Sequence, residues 1–143
     1  IKFQEDHNML KLIIGAKGSG KTKTLIELVN SALKATTGSV VCIEKGDKLR
    51  FDISYECRLI DTDEYQVKTS LGLYCFVAGI LASNHYVTDI FVDSALKICN
   101  DDLSSFEKLV EELDVLTVKK EINVVMTASM PEENATDLIK KYL

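Results

Sequence analysis

Gly15, Ala16, Lys17, Gly18, Ser19, Gly20, Lys21 and Thr22 form the pattern G-x-x-x-x-G-K-[ST], residue types and a spacing suited to holding phosphate. Glycines take positive φ angles at little cost, so the backbone N–H groups can turn inward as an anion nest. A helix starting at Lys21 would aim the positive end of its dipole at the same point. The Lys21 ammonium is then placed for the β- and γ-phosphates of a nucleotide, and the Thr22 hydroxyl for Mg²⁺. The segment expected to carry the nucleotide runs on through Lys23. Three fixed positions and one two-way choice recur by chance, so the flanking elements have to support the motif.

They do. Residues 9–15, "MLKLIIG", are an apolar run rich in strand formers that ends in glycine. From Lys21 to Ala35 the apolar residues Leu25, Leu28, Val29, Ala32 and Leu33 recur on one helical face. Gly38 suits the C′ position that closes this helix. Strands are predicted at 39–44, at 55–61 as a short edge strand, at 87–93 and at 122–129. Helices are predicted at 66–83 and from a capping box of Ser104 and Glu107 to about Lys120. Pro131 suits the first turn of a last helix, with Lys140 and Lys141 near its C-terminus. Strands alternating with helices predict a three-layer α/β/α fold whose mainly parallel sheet has about five strands and is covered on both faces. No repeat or linker interrupts the pattern, so residues 9–143 read as a single domain, and residues 1–8 as an N-terminal extension before Met9.

Composition limits the function. The 143 residues are 46% hydrophobic and 27% charged with one proline, the balance of a globular chain. A net charge of −5 argues against a general nucleic-acid grip, which needs clustered cations. Residues 71–82, the most apolar stretch, are too few to span a bilayer and read as a buried core helix. With no signal-peptide pattern, no membrane partner is expected and the cytoplasm is the expected location. Cys42, Cys57, Cys75 and Cys99 lie in apolar runs without a C-x-x-C pair, so all four read as reduced, buried small hydrophobes. His7 and His85 have no metal-like partners, and the acidic residues 61–65 read as a solvated turn.

With "GAKGSGKT" in this setting, the chain resembles the P-loop NTPases. That resemblance implies an apolar strand ending in an aspartate that holds Mg²⁺ through water. "TDIFVDS" supplies Asp93; Asp89 lies mid-strand, four residues earlier. The guanine-reading N-K-x-D and the D-x-x-G of the family's GTPases do not occur, and Asp93 is followed by Ser94, Ala95 and Leu96. Family members with an additional signature lysine carry it where this chain has Ala16, so Lys17 reads as a solvent-facing loop residue. Small-molecule kinases of the family clamp phosphates with arginines, and here only Arg50 and Arg58 are present.

The remaining branch is RecA-like, and the resemblance carries three further expectations. Thr127 and Ser129 stand where a polar residue senses the γ-phosphate. Glu44, at the end of the strand after the P-loop helix, stands where some members keep the glutamate that positions the attacking water. The core also resembles short proteins labelled as PilT-like ATPases, without the histidine boxes or C-terminal half of retraction motors. The function so implied is a Mg²⁺·ATP-binding protein: a slow ATPase or ATP-dependent switch working with a protein partner or as a homo-oligomer. In an oligomer, Arg50 or Arg58 would be the arginine supplied in trans. The alternatives are a nucleotide-binding regulatory module without turnover and a small phosphotransferase.

Overall fold

The computed structural model describes residues 9–143; the expectations for His7 and for residues 1–8 lie outside the described residues. Five strands, β1 (Leu10–Gly15), β2 (Ser39–Glu44), β3 (Arg58–Asp61), β4 (Val87–Val92) and β5 (Asn123–Ser129), pair in the order β1-β5-β4-β2-β3. Every pairing between them is parallel. The helices are α1 (Lys21–Ala35), α2 (Ser70–Ser83), the single turn α3 (Ala95–Ile98), α4 (Leu103–Lys120) and the short α5 (Asp137–Lys140). Helices cover both faces of the sheet, so the architecture is a three-layer α/β/α fold.

Successive residues of the central strands point into different cores. Val41 and Ile43 of β2, with Ile90 and Val92 of β4, join a cluster that includes Leu73 and Val77 of α2 and Phe106, Leu109 and Leu113 of α4. Val40, Cys42 and Phe91 point the other way, into a cluster with Leu25 and Val29 of α1 and with Leu49, Ile53 and Cys57. Burial on both faces is why β2 reads as a continuous apolar run rather than an alternating one. At the sheet edge, the Leu12 N–H of β1 donates to the Tyr142 carbonyl at 2.8 Å, so the C-terminal segment covers part of an otherwise open edge.

Several boundaries differ from the sequence expectation for local reasons. The helix predicted from residue 66 begins at Ser70. Thr62–Tyr65 form a 3-10 turn ended by left-handed Gln66, and the Thr69 hydroxyl then caps α2 by accepting from the Gly72 N–H at 3.0 Å. The capping box does not form: α4 starts after Asp102, and Glu107 accepts a hydrogen bond from the Thr136 hydroxyl instead. Pro131 precedes a 3-10 turn, Glu132–Asn134, while α5 is capped by Thr136, which accepts from the Ile139 N–H at 3.2 Å. Gly38 is not a left-handed C′ residue; α1 ends on Thr36 in an extended conformation. Its glycine is required because a Cβ there would lie 2.0 Å from the Tyr86 carbonyl oxygen.

The apolar helix α2 is buried on one face only. Leu73, Val77 and Leu81 pack inward, whereas Leu71 and Cys75 are exposed, so Cys75 is the exception among the four free cysteines. Leu28 of α1 also lies at the surface, on the border of the buried stripe made by Leu25 and Val29. The acidic stretch 61–65 is more than a solvated turn. The Asp61 carboxylate accepts from the Gly46 and Asp63 N–H groups at 2.8 Å each, and Asp63 pairs with Lys45 at 2.8 Å. Among the described residues, no helix is long and apolar enough to cross a membrane.

Candidate functional site

The C-terminal ends of four parallel strands converge, and the residues singled out in the sequence sit on them. Register pairs Gly15 with Ser129, Val92 with Met126 and Ile43 with Val92, which sets Asp93 beside Thr127 and Glu44 beside Asp93. Between β1 and α1 the chain turns through Gly18 at φ 82° and Gly20 at φ 95°, the left-handed region that glycine enters freely. The Ser19 N–H donates to the Ala16 carbonyl at 3.1 Å and tightens the loop. Gly20 is the N-cap of α1 and no side chain caps it, so the first backbone N–H groups of a fifteen-residue helix are left to an external acceptor. The Lys21 ammonium spans the loop to the Ala16 carbonyl at 2.9 Å.

Beneath the loop, the Thr22 hydroxyl lies 3.2 and 3.3 Å from the two oxygens of Asp93. Asp93 is held from two further directions. Its own N–H donates to the Ile43 carbonyl at 2.8 Å, and the buried Thr127 hydroxyl donates to its Oδ1 at 2.8 Å. The Thr127 oxygen in turn accepts from the Ser94 N–H at 2.8 Å. With its proton on Asp93 and its lone pair on Ser94, Thr127 orients the carboxylate. Ser129, exposed at the strand end, is the hydroxyl left facing outward. A hydroxyl and a carboxylate meeting at one edge of a polar cleft are hard oxygen donors, the kind that Mg²⁺ takes. Asp89 sits at the other end of β4, accepting from the Thr88 hydroxyl at 2.7 Å.

These groups border a cleft of about 330 Å³. Gly18, Lys21, Thr22, Asp93, Thr127 and Ser129 all line it, and so does Lys17, an exposed loop residue. Glu44 is 3% exposed and does not line the cleft; its carboxylate accepts from the Lys48 N–H at 3.2 Å and the Leu49 N–H at 3.0 Å. Burial raises its pKa above the ordinary value, the two N–H bonds oppose this, and the negative charges of Asp93 and Asp61 add to the rise. The cleft also holds two side chains that no motif announced. Lys48 comes from the 3-10 turn Lys48–Phe51 and Lys97 from α3. Only an unusual lysine just past each of two apolar strands could have marked them in the sequence.

No family model matches the chain, and no curated protein matches it. Solved structures do. The flagellar accessory protein FlaH from Methanocaldococcus jannaschii superimposes with a TM-score of 0.63 at 13% identity, over 95% of this chain and 69% of that one. At that identity the likeness extends to the fold alone.

Proposed function

We propose that the cleft binds a nucleoside triphosphate, ATP, together with Mg²⁺, and that binding switches the protein between two states read by a protein partner or by a second copy of the chain. One observation carries this reading: the Thr22 hydroxyl and the Asp93 carboxylate meet at 3.2 Å directly below an uncapped helix N-terminus and a glycine loop. In this reading the N–H groups of Gly15–Gly20 and of the first turn of α1 hold the phosphates. Lys21 exchanges the Ala16 carbonyl for phosphate oxygen, and Lys17 and Lys23 add positive charge around the loop. Thr22 and Asp93 would hold Mg²⁺, which would neutralise phosphate charge between them; Thr127 and Ser94 keep Asp93 in place. The fold shared with an accessory protein is compatible with work through a partner.

Titration calorimetry with ATP tests the proposal. We expect saturable binding that needs Mg²⁺, a loss of about 10- to 100-fold in affinity for Lys21→Ala, and a lost Mg²⁺ requirement for Asp93→Asn, as for charge-assisted hydrogen bonds at a phosphate. Binding that is indifferent to Lys21→Ala would overturn it.

A second reading, slow hydrolysis, is favoured by the placement of Glu44, a buried carboxylate with a raised pKa one strand away from Asp93. Such a group suits the activation of water once it leaves the Lys48 and Leu49 amides. This reading expects phosphate release above the Lys21→Ala level in the unaltered chain and a fall to that level in Glu44→Gln. Equal release from the two would leave Glu44 as the cap of the Lys48 turn.

A further inference from the structure

The cleft is far more basic than the chain that builds it. Four lysines, Lys17, Lys21, Lys48 and Lys97, face two aspartates, Asp93 and Asp101, on a chain of net charge −5. Lys17 and Lys21 belong to the glycine loop and the first turn of α1. Lys48 and Lys97 arrive from elsewhere, through segments that follow β2 and β4. Among the described residues, neither side chain makes an ion pair or a hydrogen bond, and both are exposed.

Their backbones are nevertheless fixed. The Lys48 N–H is bound by buried Glu44 at 3.2 Å, and its neighbour Leu49 is 3% exposed. Lys97 lies between buried Leu96 and Ile98 on a helical turn that is entered through left-handed Ser94 and left through left-handed Asn100 and Asp101. Non-glycine residues rarely adopt that conformation, and three within eight positions hold a turn that would otherwise relax. The segment is over-determined, and the amine it presents is unpaired among the described residues.

Sheet order gives the direction. From β1, where the glycine loop starts, the order runs through β5 to β4 and then β2. A phosphate chain held at the loop and passing over Thr22 and Asp93 meets the β4 and β2 segments at its far end. Among the described residues no aromatic side chain lines the cleft, so it offers a base no stacking surface at either end and charge is left to orient the phosphate chain. In the nucleotide-binding reading the terminal phosphate lies at that far end, beside the lysines of the β4 and β2 segments.

We propose that Lys48 and Lys97 are the two arms of a clamp that reads the γ-phosphate within one chain, so that they distinguish a nucleoside triphosphate from its diphosphate. Glu44 acts as the positioning residue of the Lys48 arm. The proposal rests on the nucleotide-binding reading and goes beyond it by naming how the terminal phosphate is recognised. No arginine from a neighbouring copy is needed for that recognition. The Lys48 and Lys97 side chains, rather than the fixed turns that carry them, then respond to the state of the nucleotide.

The test compares Mg²⁺·ATP with Mg²⁺·ADP binding in the full chain and in Lys48→Ala, Lys97→Ala and Lys108→Ala, whose exposed lysine on α4 controls for the lost charge. Thermal melts confirm that each variant is folded. Each arm variant is expected to lose about three- to tenfold in ATP affinity, within the range of an exposed charge-assisted contact, with ADP affinity changed less than twofold. The double variant should bind the two nucleotides alike, and Glu44→Gln should shift the ATP-to-ADP ratio in the direction of Lys48→Ala. Parallel losses for ATP and ADP, or losses equal to that of Lys108→Ala, overturn the clamp while leaving nucleotide binding intact. Absence of ATP binding in the unaltered chain removes both proposals.

Discussion

Glu44 shows how much one carboxylate's role depends on what it touches. It stands at the end of β2 beside Asp93, as expected of a water-positioning glutamate, yet both of its oxygens accept from backbone N–H groups of the next turn. Its raised pKa has a consequence for stability. The folded state binds the proton more tightly than the unfolded chain, whose value is near 4.5. Stability from this group is therefore complete below that value and is lost as pH rises through the higher folded value. Melting temperatures followed from pH 4 to pH 8 should show the unaltered chain losing stability relative to Glu44→Gln as pH rises, with the difference levelling off once Glu44 is fully ionised. A pH-independent difference would mean that the two amide bonds compensate its burial fully.

Elements explain which local rules gave way. Helix α1 obeys its pattern because Leu25 and Val29 pack on the sheet and Gly20 frees its start. Helix α4 ignores its capping box because the burial of Phe106, Leu109 and Leu113 sets its phase, and the two left-handed residues before Asp102 decide where it can begin. At the end of α1 the glycine signal was right about the residue and wrong about the reason. Gly38 lets the chain pass the Tyr86 carbonyl, and the Ser39 N–H then donates to that same oxygen at 2.7 Å. Gly38→Ala should push β2 away from the segment before β4 and cost about 1–3 kcal/mol, roughly 3–10 °C in Tm. A melt within 1 °C of the unaltered chain would show that the backbone there gives way freely.

For the molecule as a whole, most of the fold was legible because strand and helix periods differ and the glycine loop marks where one becomes the other. Thiol chemistry was legible in part. Burial raises the pKa of the Cys42 thiol strongly and that of Cys57 to about 11, whereas Cys75 escaped because an apolar run of twelve residues has two faces and the core covers only one. The loop from Gly15 to Thr22 and the aspartate after β4 are local features, each written in fewer than ten consecutive residues, so composition and spacing suffice to single them out. Strand order is not local. It is set by how five apolar strands share two cores, and it decides that β5 lies between β1 and β4, that Thr127 is spent on Asp93 while Ser129 faces out, and that Lys48 and Lys97 line one cleft. The sequence by itself determined the elements and the glycine-loop pattern, because backbone and hydrogen-bonding chemistry act over a few residues. Only the tertiary structure decided which distant side chains stand beside that loop, because their convergence depends on packing between segments such as β1 and β5, where Gly15 pairs with Ser129, 114 residues away.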